Sequence, residues 1–445
     1  MLIIKNVRIL TMDNSRIIEN GYILSGDGLI LRIGEGSPRL TEVAGQDVKM
    51  IDGRGGWLMP ALIDAHSHLG LFDDSLDMEG SDGNEMTDPV TPHLRAIDGI
   101  HNADVCFREA YEGGVGIVMT GPGSGNVLGG QFALVKTYER TVEDAIICEP
   151  AAQKAAFGEN PKRVYGKENK SPQTRMGTAA ILREALSEAV EYKDKLERYR
   201  EKLDEFNEAR SNNQEDPPER PDKPDIDLQA QSLIPIIEGR LPLKIHAHRQ
   251  DDILTAIRIC NEFGLTYTLE HCTEGHLIAD VLLKEYKSGQ AEDRGSGTRS
   301  GQGGKLKGIV IGPIIGDRSK PELSHLTLKT AAVLTNAGLP VALMTDHPCV
   351  PQQYLMLSAS LAVRGGLDEQ KALEAITIRP AEILGIDDRY GSLTDGKAAD
   401  FCLFDRDPLD CRGRVRLFVG DGVIRYDDGI GSSEGLTKGH DETNG

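Results

Sequence analysis

Four apolar runs in this chain end in histidine or aspartate, and that recurrence restricts the available folds more than any other feature. They are Ala61-Leu62-Ile63-Asp64-Ala65-His66-Ser67-His68, Leu243-Lys244-Ile245-His246-Ala247-His248, Tyr267-Thr268-Leu269-Glu270-His271 and Val341-Ala342-Leu343-Met344-Thr345-Asp346. Short apolar runs closed by polar residues read as buried strands. Alternate residues of a strand face the same way, so His66 shares a face with His68. The chain has only 11 histidines, and core packing alone does not put so many of them at strand ends. A barrel that gathers its strand ends on one face does.

Helical patterns separate several of these runs. Asp252 to Phe263 is amphipathic and stops at Gly264, a suitable C-cap. Ile278 to Tyr286 and Leu328 to Asn336 are further helices, and alternation of this kind marks parallel βαβ units. The fold expected is α/β, a (β/α)8 TIM barrel over residues 58–385. Residues 1–57 carry short apolar runs between Gly- and Asp-rich turns. Residues 386–428 carry three more strand-like runs, which cannot extend a barrel that already has its strands. The two ends are therefore expected to form a small β-sandwich together. Residues 190–228 read as a charged, helical insertion, and 429–445 as a flexible polar tail.

Charge narrows the partners. A formal net charge of −20 disfavours nucleic acid and anionic membrane, because phosphate binding needs basic surface. No run reaches the length of a membrane span. The 7 cysteines are scattered without a Cys-x-x-Cys pair, and the first residues lack the features of a secretion signal. A cytoplasmic protein acting on a small molecule is expected, with a homo-oligomer left open. The loop Gly121-Pro122-Gly123-Ser124-Gly125 is glycine-rich, but no Gly-Lys-Ser/Thr follows it, so it is not read as a P-loop.

Together the stretches 60–68, 244–248, 270–271, 345–348 and 391–400 resemble the amidohydrolase superfamily, in particular its imidazolonepropionase-like and prolidase-like metal-dependent hydrolases. The resemblance spans nearly the whole chain. It implies a metal at the C-terminal face of the barrel, with His66 and His68 as strand-one ligands. His246 is the strand-five ligand, with His248 as the alternative. His271 is the strand-six histidine, a ligand in two-metal members and a group facing water or substrate in single-metal ones. Asp346 is the strand-eight aspartate. Two-metal members bridge their ions with a carboxylated lysine or a glutamate from a middle strand. Lys136, at a strand end, ranks first for that part, ahead of Lys154 and Glu149.

These residue types suit hydrolysis of an unreactive bond. Imidazoles and a carboxylate hold a divalent ion, zinc in this expectation, and leave a position open for water. One ion is preferred here over two. Asp346 and His271 are the expected catalytic groups: a proton acceptor, and a stabiliser of the developing oxyanion. Arg249 and His93 are candidate substrate contacts. The reading is a metal-dependent hydrolase of C–N bonds in amides, cyclic amides or N-acyl compounds. A deaminase is the alternative within enzymes, and a non-catalytic ligand-binding barrel the alternative outside them. The tetrapeptide Ala247-His248-Arg249-Gln250 lacks the glutamate that deaminases of this superfamily place soon after the strand-five histidine.

Overall fold

Among the described residues, strands divide between two sheets of eight. The computed structural model describes residues 1–38, 47–74, 78–214, 216–292 and 303–432. One sheet is the barrel. Its strands are β6 (Leu62–Ser67), β7 (Val115–Thr120), β8 (Leu128–Lys136), β9 (Ile146–Ala156), β10 (Leu243–Ala247), β11 (Thr266–His271), β12 (Lys305–Ile311) and β13 (Val341–Leu343), paired in chain order. The seam closes between β6 and the chain just past β13. There Asp346 N donates to His66 O (3.3 Å) and His68 N to His347 O (3.0 Å).

The barrel departs from strict β/α alternation at one strand. β8 runs antiparallel to both β7 and β9, while the remaining pairs are parallel. The cause is local. Residues 121–127 are too few to hold a crossover helix, and a parallel return needs a dozen residues or more. The chain therefore turns back as a hairpin at the C-terminal face.

Strands β6, β7, β10 and β11 are buried at every residue, as expected for strands covered on both faces. The helix Gln250–Phe263 covers part of the outside, burying Ile253, Ala256, Ile257, Ile259 and Cys260. It ends at Gly264 in the left-handed conformation (φ 65°), where glycine avoids the steric cost of a side chain. Each buried isoleucine contributes roughly 1.5–3 kcal/mol relative to exposure. A helix of 37 residues, Arg175–Ser211, starts from Thr174, whose hydroxyl accepts from Gly177 N. Residues 216–227 after it form neither helix nor strand.

The second sheet comes from both chain ends. It holds β1 (Leu2–Leu10), β2 (Ile17–Gly26), β3 (Leu29–Glu35), β4 (Lys49–Asp52) and β5 (Trp57–Pro60), with β14 (Phe401–Phe404), β15 (Val415–Gly420) and β16 (Val423–Asp427). β14 pairs antiparallel with β5, which joins the two ends of the chain. This sheet packs on the barrel near β7, where a Cβ on Gly116 would lie 3.0 Å from the Phe418 ring. The tail from residue 433 onward lies outside the described residues. None of the described helices is long and apolar enough to cross a membrane.

A candidate metal centre at the barrel mouth

The strand ends bring His66, His68, His246, His248, His271 and Asp346 to one point, and all six are buried. Their potential ligand atoms form two adjoining triads. His66, His271 and Asp346 lie within 4.8 Å of one another, as do His246, His248 and His271. His271 belongs to both. His68 joins through its Nε2, 3.3 Å from Asp346 Oδ1, and His66 Nε2 lies 3.5 Å from the same oxygen. His246 and His248 both belong to the cluster, so the choice between them left open by the sequence stays open in the geometry.

The other ring nitrogens are spoken for, which aims the rings. His68 Nδ1 lies 2.7 Å from Gly121 O and His271 Nδ1 2.8 Å from Gly312 O. His66 Nδ1 sits 2.9 Å from Glu270 Oε2, and His248 Nδ1 2.8 Å from Thr273 Oγ1. An Nδ1–H given to a carbonyl or carboxylate leaves Nε2 as a lone-pair donor, the arrangement usual for metal-binding histidines. Two nitrogens, Nδ1 of His246 and Nε2 of His271, are buried without any partner. Buried polar atoms are rarely left so, and both residues belong to the histidine triad. The donor set fits a divalent cation.

Electrostatics agree. Burial, followed by the nearby Lys154 and Lys244 charges, holds His66 well below the usual imidazole range. Burial and neighbouring histidines do the same to His246 and His248. Burial pushes His271 down to about 4. These rings are therefore neutral at pH 7, as ligation requires. Asp346 feels burial raising its pKa, but His271, His68 and Lys154 outweigh it and keep the carboxylate well below its usual range.

Lys154 lies inside this cluster. It is wholly buried on β9, with Nζ 3.4 Å from His66 Nε2. Burial lowers its pKa to about 8, against the raising influence of Asp346 and Glu270. Beneath it, Glu270 ties together His66 Nδ1, Lys244 Nζ (2.9 Å) and the Thr268 hydroxyl. Asp64 accepts from Thr345 N and Oγ1 and from Gln352 Nε2, pinning β6 to the chain that carries Asp346. Both Asp346 (φ 55°) and His271 (φ 66°) adopt left-handed backbone, a strain that clusters at functional sites.

Four expected positions lie elsewhere. Lys136 ends β8, but the reversal of β8 puts that end at the opposite face, where Nζ pairs with Asp421 Oδ2 at 2.5 Å. Arg249 pairs with Asp251 (3.1 Å) and does not line the cavity. His93 lines a separate groove with Tyr192 and Asp227. Glu149, the other middle-strand candidate, pairs with Arg95.

Alternation, carried one step back along each strand, would have found Asp64 before His66 and Lys244 before His246. Lys320 and Glu322, in and beside the short 3-10 turn Pro321–Leu323, and Asn160, in the first turn of the helix Glu159–Gly166, left no such trace. Lys320 Nζ donates to Asn160 Oδ1 (2.8 Å), and Asn160 Nδ2 lies 3.4 Å from His246 Nε2.

The Amidohydrolase family profile matches residues 311–426. The crystal structure of an amidohydrolase from Thermotoga maritima MSB8 is 35% identical, covering 96% of this chain and 100% of that one, with a TM-score of 0.83. Amidohydrolase tasK from Hapsidospora irregularis is 27% identical over 92% of this chain, and the chain spans 40% of that relative's length. An imidazolonepropionase from Streptococcus pyogenes is 23% identical over 90% of this chain and 87% of its own.

Proposed function

The chain belongs to the amidohydrolase superfamily, and on that premise we propose that it is a metal-dependent hydrolase of C–N bonds in a small amide, cyclic amide or N-acyl compound. The observation that carries this reading is the convergence of neutral imidazoles and Asp346 on one buried point, with ligand nitrogens of His246 and His271 left unpartnered.

His66, His68 and Asp346 would hold one divalent cation, zinc by donor type. His271 with His246 or His248 would hold a second. Lys154 is wholly buried among these groups, with Nζ 3.4 Å from His66 Nε2. That central place supports Lys154 over Lys136 as the lysine between two ions, and two ions over one. When bound, the cation supplies Lewis acidity, which lowers the pKa of water from 15.7 to about 7.

The chain's own groups do the rest. Asp346 takes the proton of the attacking water and passes it to the departing nitrogen, a transient role suited to a weakly basic carboxylate. His271, neutral and with its Nδ1–H donated to Gly312 O, keeps only its Nε2 lone pair and would serve as a ligand rather than as a donor. Glu270, through His66, keeps that ring in one tautomer.

The test is metal analysis of the purified protein, followed by a screen of amides, lactams, N-acyl compounds and amidines with and without chelator. Chelator-sensitive turnover of an amide-type substrate is expected, and His66→Ala should lose metal and turnover together. Turnover of amidines alone would establish a deaminase instead. Stoichiometric metal without turnover of any class would leave a binding barrel.

A further inference from the structure

The cavity above the histidine cluster has a volume of about 470 Å³ and is walled largely by apolar groups, among them Phe72, Ile315 and Leu323. Among the described residues that line it, Lys320 is the one lysine or arginine. We infer that Lys320 reads a carboxylate on the substrate, so that the amide cleaved here is that of an N-acyl amino acid or a similarly anionic compound. This inference rests on the hydrolase reading above and specifies its substrate class.

Three observations support it. First, Lys320 is held in place: Nζ donates to Asn160 Oδ1 at 2.8 Å, and its side chain remains 27% exposed. An ammonium has three N–H groups. Asn160 takes one of them, and Glu322 Oε1, at 3.8 Å, is beyond hydrogen-bond reach. Donors are thus left for a ligand.

Second, the counter-charge lies behind the lysine. Glu322 is fully buried and does not line the cavity. Its Oε2 accepts from Glu159 N (2.8 Å), and Glu159 Oε1 accepts from Glu322 N (3.1 Å). This reciprocal clamp fixes the loop after β12 to the end of β9, and Lys320 rides on it. A preorganised cation loses little entropy when a carboxylate docks.

Third, the same carboxamide that holds Lys320 approaches His246 Nε2 at 3.4 Å. The ammonium therefore stands one side-chain amide away from the cluster. That spacing suits a carboxylate attached next to the scissile amide. Past Gly316, Asp317 and Leu326 the cavity adjoins a groove of about 610 Å³ carrying Arg318, Lys329 and Arg364. On a chain of net charge −20, a basic rim at this one mouth draws anions toward it. Asp317 is exposed at the rim, with its carboxylate accepting from Ser319 N (3.1 Å).

The test compares kcat/KM of the metal-loaded enzyme for a panel of N-acyl amino acids with that for the N-acyl alkylamines lacking only the carboxylate. The ratio is taken on a single preparation, so any loss of folded protein cancels. The wild type should favour the acids by at least about tenfold, the scale of one charge-assisted contact. Lys320→Met should bring the ratio close to one, and Lys320→Arg should keep most of it. Turnover without preference for the acids, or a preference that survives Lys320→Met, overturns the inference and leaves the hydrolase reading standing. Absence of turnover in both series overturns the inference, and the hydrolase reading then stands or falls on the lactam and other amide arms of the screen above.

Discussion

Lys154 Nζ sits 3.4 Å from His66 Nε2, with both side chains wholly buried. That contact puts Lys154 on the nitrogen through which His66 would hold a cation, and the bridging part proposed for Lys154 requires its ammonium to give up its charge. Lys154→Met is expected to lower divalent-metal affinity by on the order of 10- to 100-fold or more, the range seen when groups supporting metal ligands are removed. Titration of chelator-stripped protein with zinc, read by calorimetry, checks this. Unchanged affinity would remove Lys154 from the site.

Lys136→Ala is the matching control. Its ammonium pairs with Asp421 between β15 and β16, so metal content measured by mass spectrometry should match that of the wild type. Depletion would mean that the opposite face of the barrel communicates with the site.

Glu270 stands between His66 and Lys244, and all three are buried. Glu270→Ala strands the Lys244 ammonium. Breaking a buried pair in this way costs about 3–5 kcal/mol. Denaturant unfolding of the metal-free protein should show the loss directly, and zinc affinity should fall as His66 loses its orienting partner.

Gly158 occupies φ 86°, and a Cβ there would lie 2.6 Å from Glu322 Oε2. Gly158→Ala combines a strained backbone with a clash against the clamp that carries Lys320. A destabilisation of about 1–3 kcal/mol is expected, read as a lower urea midpoint with an unchanged slope.

Asp400 offers a pH test far from the histidines. Burial first, then Asp421, raises its pKa to about 6, while Tyr138 and the Asp421 N–H oppose the shift. An unfolded aspartate titrates near 3.9. Between about pH 4 and 6 the folded chain holds a proton that the unfolded chain has released. This group's contribution to stability therefore falls as pH rises through that window. Asp400→Asn removes the effect, so its stability relative to wild type should climb by up to roughly 2–3 kcal/mol from pH 4 to pH 7. A flat difference would contradict the shift.

Part of this site was legible before any coordinates, for a simple physical reason. Strand alternation lines up His66 with His68 and His246 with His248, whatever surrounds them. The same rule misled at Lys136. A strand end says nothing about which face of the barrel it occupies until strand direction is known, and the short hairpin 121–127 reverses β8. Lys154 lies within a strand that reaches Ala156, beyond the short apolar stretch 145–149 that marks its start. Arg249 and His93 were placed by nearness in sequence, which does not set side-chain direction in a loop. Lys320 and Glu322 depend on a loop crossing from β12 to β9, and no local pattern encodes such a contact. The pairing of β14 with β5 was readable because strands left over from a closed barrel have few other partners.

The backward strand has a consequence for how this scaffold can be altered. A hairpin stands where an ordinary barrel of this kind would open a variable loop, and the Gly121 carbonyl within it steadies His68. The mouth thus gives up one place where new sequence could be spliced in to change what is recognised. Grafts made there would disturb the ion-holding ring itself, whereas the stretch after β12 that brings Lys320 to the cavity can be rewritten beyond Gly312, the residue whose carbonyl holds His271.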